Sequence, residues 1–385
     1  MEGTSKNPLK FLCKQNKCGM GGDADVVEVG MKTIQPKDPG LFAHEHRMKK
    51  LAEGSDLLAR LNARIEWEMF RPPLERACEK EARGPGGRPR HDVILMFKVL
   101  VLQRYYNLSD EQTEYQINDR LSFQKFLGLT LSDSVPDQKT IWLFRETLRH
   151  NGRVKKLFRR FERHVKEAGL MRQEGRIIDA SFVDVPRQRN RREENAEIKS
   201  GKVPESFQEN EHRLEQKDVE ARWAKKGEEV HVGYKDHVKA DKTTKLIEDY
   251  VVTDASVHDS QAVEDLMEET DGTLHADSAY TGETIEALLE ENGGTGEICE
   301  KGYRGHPLTE RQKKSNRKKS TIRVRVEHMF GFMTNTMRAG LKMRGIGMRR
   351  IAAGVGLLNL VFNMARYEQI VRLQLVECLR ETESG

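Results

Sequence analysis

Three acidic residues define the chemistry open to this chain: Asp179, Asp277 and Glu327. Asp179 follows two isoleucines in Arg176-Ile177-Ile178-Asp179-Ala180-Ser181-Phe182, which reads as a short buried strand carrying one acid. Asp277 closes a second short run, Leu274-His275-Ala276. Glu327 falls in a helical pattern, with Arg323 one turn before it and Arg325 beside it. A carboxylate at a buried strand end is costly unless it has a partner. A divalent cation is a natural partner, and Mg²⁺ favours carboxylate oxygens while keeping several waters. Two such ions about 4 Å apart activate a water and stabilise a leaving oxygen in an in-line displacement. Three carboxylates suffice to seat both. Taken singly, each acid has a plainer reading: a strand-end Asp as a cap or turn residue, a helical Glu beside arginines as a surface ion pair. The metal reading rests on the combination, and it requires Asp277 and Glu327 to fold back onto the strand of Asp179.

The elements that would bring them there follow from the apolar spacing. Arg176–Val185 is β-rich. Two more strands follow, from His231-Val232-Gly233-Tyr234-Lys235 onward and over Leu246–Val252, with Lys242-Thr243-Thr244-Lys245 as the turn. Val257-His258-Asp259-Ser260 opens an expected helix through Met267. A strand at Thr273–Ala276, a helix over Gly282–Glu291 and a strand at Gly296–Cys299 complete the set. This β–β–β–α–β–α order, followed by an acidic helix, is that of a ribonuclease-H-like mixed sheet flanked by helices. Residues 186–228 have few large apolar groups and open on Arg187-Gln188-Arg189-Asn190-Arg191-Arg192, so they read as a charged insertion, partly disordered or helical, able to touch a polyanion. A basic run at 311–325, with Lys318, Lys319, Arg323 and Arg325, leads into the helix of Glu327.

Upstream the pattern is helical. Leu57, Leu58, Leu61, Ile65 and Met69 share one helix face, and Val93, Ile94, Phe97, Leu100 and Val101 another. Arg83-Gly84-Pro85-Gly86-Gly87-Arg88-Pro89-Arg90 is a basic loop between them. Ser109-Asp110-Glu111-Gln112 is a helix start, and Asp137 can cap a helix with Ile141, Phe144 and Leu148 inside. Short helices joined by tight turns resemble a helix-turn-helix unit, in which Lys139, Arg145 and Arg149 mark the candidate recognition helix. The helix from Arg153 to Ala168 sets Val154, Leu157, Phe158, Phe161 and Val165 against a basic face that can meet phosphates. The expected organisation is a leader at 1–40, a helical domain at 41–170, the sheet core at 171–345 with its insertion, and a C-terminal helix and tail at 346–385. The fold class is an all-helical, helix-turn-helix-like domain followed by a mixed α+β and α/β core.

The net charge is only +5, yet 66 Lys and Arg against 61 Asp and Glu leave strong local blocks that suit a polyanion. No apolar run reaches the roughly 18 residues of a membrane span, and residues 1–20 lack the apolar centre of a secretion signal. Five scattered cysteines, an odd number, fit a reducing compartment. A cytoplasmic, nucleoid-associated protein with no membrane partner is expected.

Four stretches carry a resemblance. They are His231-Val232-Gly233-Tyr234-Lys235; Asp254-Ala255-Ser256-Val257-His258-Asp259-Ser260; Ala276-Asp277-Ser278-Ala279-Tyr280-Thr281-Gly282; and Ile322-Arg323-Val324-Arg325-Val326-Glu327-His328-Met329-Phe330-Gly331. In that order they resemble bacterial insertion-sequence transposases of the DDE type, of the IS-five group. Leu61-Asn62, Ile65-Glu66-Trp67, Phe70-Arg71-Pro72 and Pro136-Asp137-Gln138-Lys139-Thr140-Ile141-Trp142 resemble the group's helical domain, so the similarity spans about residues 55 to 370. The resemblance implies Asp179, Asp277 and Glu327 as the catalytic, metal-holding triad, with two Mg²⁺ ions that Mn²⁺ can replace. It implies binding of terminal inverted repeats in double-stranded DNA, metal-assisted cleavage at the ends and joining of 3′-OH ends to target DNA by a homodimer or higher oligomer. Lys139, Arg145, Arg149, Lys318, Lys319, Arg323 and Arg325 are the expected DNA contacts, joined by Tyr280, which would either stack on a base or sugar near the cut or pack in the core; Asp254, His258 and Asp259 would support the site from behind. The family's usual Tyr before the arginine and Lys after the glutamate are Ser320 and Thr334 here. Those departures leave room for a second reading, a catalytically silent DNA-binding regulator of the same descent.

Overall fold

Asp92, Ser109 and Asp137 each start a helix in the way their side chains allow, and these starts build the helical domain. The computed structural model describes residues 46–47, 49–50, 56–79, 89–171, 175–268, 272–303, 305–337 and 341–375. The expected leader, most of the basic loop at 83–90 and the end of the tail lie outside the described residues. All the elements below belong to one unit, Arg47–Gly385. They begin with α1 (Leu57–Arg64), a 3₁₀ turn (Trp67–Phe70) and α2 (Arg71–Cys78). The Asp92 carboxylate accepts from the Ile94 and Leu95 amides and starts α3 (Val93–Tyr105), which is buried along most of its length. Ser109 and Gln112 close a capping box on α4 (Asp110–Asp119). α5 (Leu121–Leu127) ends at Gly128 in the left-handed region. Asp137 caps α6 (Gln138–Arg149) at the Thr140 amide, and α7 (Arg153–Glu167) follows. Trp67, Phe70, Phe97 and Phe126 meet in the middle, with the Phe70 and Phe97 ring centroids 4.8 Å apart.

The core is a six-stranded mixed sheet. β1 (Arg176–Asp184) lies antiparallel to β3 (Glu229–Asp241), with Asp179 opposite Val238. β2 (Arg222–Lys226) forms a hairpin with the start of β3, and β4 (Ile247–Asp254) pairs antiparallel with its remainder. On the other edge β1 runs parallel to β5 (Thr273–Ala276), which runs parallel to β6 (Thr295–Ile298). With β2 set aside as part of the insertion, the three antiparallel strands β1, β3 and β4 followed by the parallel β5 and β6 are the ribonuclease-H-like arrangement. Gly233 is required where it stands: at φ 147° a Cβ would meet the Val183 carbonyl oxygen at 2.3 Å.

Side-chain alternation assigns the two faces. Ile178 packs with Leu274, Ala276, Tyr280, Ile285 and Leu289, beneath α11 (Glu283–Glu291). Ile177 and Val183 join the main core instead. That face is covered by α12 (Glu310–Gly331), through Val326 and Met329, and by α13 (Met348–Arg372). Asp179 is two residues beyond Ile177 and so points to the face of α12. α13 packs between sheet and helical domain, and its Asn363 amide exchanges both hydrogen bonds with Ile247 on β4, at 2.9 and 2.7 Å. At Gly356 an added Cβ would fall 2.0 Å from the Tyr250 hydroxyl, so the helix can approach this strand only with glycine there.

One expectation needs correcting. The stretch from Val257 to Met267 is a 3₁₀ turn, Asp259–Ala262, followed by further turns, not one helix. Lys235 holds Asp259 at 2.7 Å and the His258 ring caps the Ser260 amide, so local bonds compete with helix extension. The charged insertion, expected as partly disordered or helical, holds three helices, α8 (Arg192–Lys199), α9 (Glu205–Gln208) and α10 (Glu211–Glu215), and the strand β2. Glu194 supplies much of its cohesion, accepting from the Arg191 amide, Ser206 and Arg213.

Candidate active site

The strand register brings two of the three acids together. In the parallel pairing Ile177 stands beside His275, so two residues further along each strand come Asp179 and Asp277. Asp179 is nearly covered, its side chain 16% exposed. One of its oxygens accepts the Ala180 amide at 2.9 Å. Burial pushes its carboxyl up to about 6; the neighbouring Asp277 charge adds to this, while the Ala180 amide, Arg323 and Lys226 oppose it. Asp277 is half-buried and uses one oxygen on the Ala279 amide at 2.7 Å, which starts the 3₁₀ turn Ser278–Tyr280. Two carboxylates thus face one another with few donors between them.

Tyr280 lies under this pair. The sequence leaves open a place at the DNA, but the side chain is 0% exposed and packs against Ile178 and Ala276. An aromatic side chain wholly inside the core has no face left for a base. Its hydroxyl is buried without a hydrogen-bond partner. Burial, then the charges of Asp179, Asp259 and Asp277, push the phenol far upward, so it stays a neutral donor beside the acids.

Glu327 arrives on α12, which packs on β1 and β5. It does not join the aspartates directly. The Arg323 guanidinium bridges them, 2.7 Å from Glu327 and 3.8 Å from Asp179. Among the described residues no three His, Cys, Asp or Glu side chains stand close enough together to hold a metal ion as they lie. The pair of aspartates nonetheless suits a hard divalent cation in kind, being all-oxygen and poor in donors. Arg323 and, at the end of β2, Lys226 are the positive groups that bear on Asp179. The bond from Arg323 to Glu327 is a half-exposed pair one turn apart, a type that contributes about 0.3–0.5 kcal/mol.

The remaining expected residues divide into tied and free. Arg145 turns inward, where Asp110 holds it with both oxygens at 2.5 and 2.8 Å and Gln103 adds a third bond. Arg149 pairs with Glu146 at 3.2 Å. What α6 exposes besides Lys139 is Trp142, 47% exposed, and Leu143, 51% exposed. Arg325 donates to the Lys242 carbonyl at 2.6 Å and Lys319 to the Ile298 carbonyl at 2.8 Å, so both tie α12 to the sheet. Lys318 is exposed. Asp254 accepts from the Ser256 amide at 2.8 Å in a turn, His258 caps the next one, and Asp259 is the anchor of Lys235. Two further contributors carry no signal in the sequence. Lys226, at the end of β2, places a charge near Asp179. Asp218 accepts from the Ala221 amide, the Tyr234 hydroxyl and the Gly347 amide, and so joins the insertion to β3 and the start of α13. Both lie in a segment where so many charges occur that sequence offers no way to pick them.

The strand order and flanking helices place the core in the ribonuclease-H-like class. Residues 171–364 match the family described as Transposase DDE domain, and residues 46–147 match the family described as Transposase domain (DUF772). The chain belongs to the DDE transposases of insertion sequences. Among solved structures it is similar to the piggyBac transposase in a cryo-EM synaptic complex with hairpin DNA. The identity is 12% and the TM-score 0.41, over 86% of this chain and 76% of that one, a likeness too distant to decide fold or chemistry. No helix among the described residues is long and apolar enough to cross a membrane.

Proposed function

We propose that Asp179, Asp277 and Glu327 are the catalytic carboxylates of this transposase, and that they hold Mg²⁺, two ions in the working complex, with Mn²⁺ able to substitute. The observation that carries this reading is the state of Asp179: a buried carboxylate facing a second one, with a single amide and a distant arginine to offset it. Divalent cations bound there would activate the attacking hydroxyl and stabilise the departing 3′ oxygen. The chain's own part is to hold the oxygens in place. β1 fixes Asp179, the turn at Ser278 fixes Asp277, and α12 carries Glu327. Completing the set asks Arg323 to release Glu327, and the bond to be given up is a weak one. A DNA phosphate can take the guanidinium in place of the glutamate through charge-assisted, bidentate hydrogen bonds. The substrate is double-stranded DNA, as terminal inverted repeats and then target, handled by at least a dimer because two ends must be held together. Membership of the IS-five group is part of the same proposal.

The test is purified protein on duplexes ending in the element's own inverted repeats, with Mg²⁺ or Mn²⁺. End cleavage followed by joining of 3′ ends to a second duplex is expected. Asp179→Ala, Asp277→Ala and Glu327→Ala should lose both steps and keep DNA binding. Absence of cleavage and joining with either metal, from protein that binds the ends, would leave the silent-regulator reading, for which Ser320, Thr334 and the held-off Glu327 speak.

A further inference from the structure

Away from the carboxylates, the helical domain carries a basic groove of about 520 Å³ between α2 and α7. Its charged lining is Arg76, Arg153, Lys156, Arg159, Arg160 and Arg163, with no Asp or Glu among the lining residues. Only Arg159 of these has a carboxylate partner among the described residues, Asp249 at 3.1 Å. Arg76, Arg153 and Arg160 donate to the carbonyls of Pro72, Ala77 and Met69, bonds that hold the guanidiniums in place without neutralising them. Gathering five further like charges with no carboxylate partner among the described residues costs free energy that an anion would return.

The arrangement also indicates what kind of anion. Arg153, Lys156, Arg160 and Arg163 recur at three- and four-residue steps, so they form a stripe along one face of α7. The opposite face buries Val154, Leu157, Phe158, Phe161 and Val165, which keeps the stripe fixed against the core. Its length is about 15 Å at the helical rise of about 1.5 Å per residue. One strand of a duplex carries about four phosphates over that distance. A row of charges suits a phosphate backbone; a point anion would need convergent donors. α6, in contrast, spends Arg145 and Arg149 on internal ion pairs.

We infer that this groove binds the phosphate backbone of duplex DNA and is the principal DNA-binding surface of the helical domain, in place of α6. The inference rests on the transposase reading but concerns a surface apart from the three acids. It is tested with full-length protein and a labelled short duplex of arbitrary sequence, by following binding anisotropy across a salt series. Triple substitution R76Q/K156Q/R163Q should lower the slope of log affinity against log salt by about 2–3, near 0.9 for each phosphate no longer neutralised, and weaken binding at least tenfold. K156E alone, at an exposed position, should lower the slope by about one and serves if the triple variant fails to fold. Unchanged slope and affinity in the folded triple variant, or in K156E, overturn the inference. If those same variants still cleave element ends, only the groove falls. If the unsubstituted protein binds no duplex at any salt, the transposase reading falls with it.

Discussion

The sheet holds acids under two different regimes. Asp241, at the end of β3, accepts from the Thr243 and Thr244 amides and the Thr244 hydroxyl, with Arg176 at 3.7 Å. Asp249, on β4, is gripped by Lys155 and Arg159 and takes the Tyr250 amide. These are structural acids, and their oxygens are fully spent. Asp179 has one amide, an arginine at 3.8 Å and another acid beside it. Asp241 and Asp249 are satisfied in this way, whereas Asp179 is left short of positive charge beside a second acid, and that shortage is what a divalent cation would correct. Burial without donors does not by itself mark a catalytic acid, since Asp236 on β3 and Glu248 on β4 each keep an oxygen without a partner among the described residues and are pushed up to about 7; what sets Asp179 apart is the Asp277 carboxylate beside it.

The contrast can be broken from either side. Asp179→Ala and Asp277→Ala should lower strand cleavage by about a thousandfold or more with little change in unfolding midpoint. A matching loss of stability would show that these acids are structural after all. Asp249→Ala should do the reverse, costing about 1–3 kcal/mol in urea unfolding, because half-buried Lys155 loses its carboxylate and keeps only the Tyr250 carbonyl. Asp179→Asn should raise stability at neutral pH. The folded carboxyl titrates at about 6 against an ordinary value of 3.8, so ionising it costs the folded state. That cost is absent at pH below the unfolded value, grows as pH rises between the two and is complete above 6. The gain above that pH is at most about 3 kcal/mol by the linkage between pKa and stability. Equal melting curves for both proteins across this range would contradict it. The smallest effect is Arg323→Ala: about 0.3–0.5 kcal/mol of stability, with the Asp179 carboxyl moved further up when followed by carbon NMR. An unmoved titration would mean that Arg323 does not bear on the site.

Much of this site is legible in the sequence because short apolar runs ending in acid leave few options. Ile177-Ile178-Asp179 and His275-Ala276-Asp277 become adjacent as soon as their strands pair in parallel, which the element order already implies. The relation of Glu327 to them is not legible in the same way. Its place on α12 follows from the pattern, but which partner it takes depends on a guanidinium one turn away. Tyr280 shows another limit: a tyrosine after Asp277 reads equally as a DNA contact or as core, and only the packing of Ile178 and Ile285 decides. The cations of α6 mislead for a similar reason. Asp110, which takes up Arg145, lies on another helix 35 residues away. The stretch 257–267 has helical apolar spacing in Val263 and Leu266, yet Lys235 and Ser260 draw its polar groups into turns.

The central claim is that Asp179 and Asp277 form a cation site. Mn²⁺ binding, followed by its paramagnetic resonance signal in protein bound to a duplex of element-end sequence, tests it most directly. Bound Mn²⁺ in the unsubstituted complex, absent in Asp179→Asn and in Asp277→Asn while DNA stays bound, is the expected result. Equal Mn²⁺ binding by all three complexes, or none by the unsubstituted one, would contradict the account.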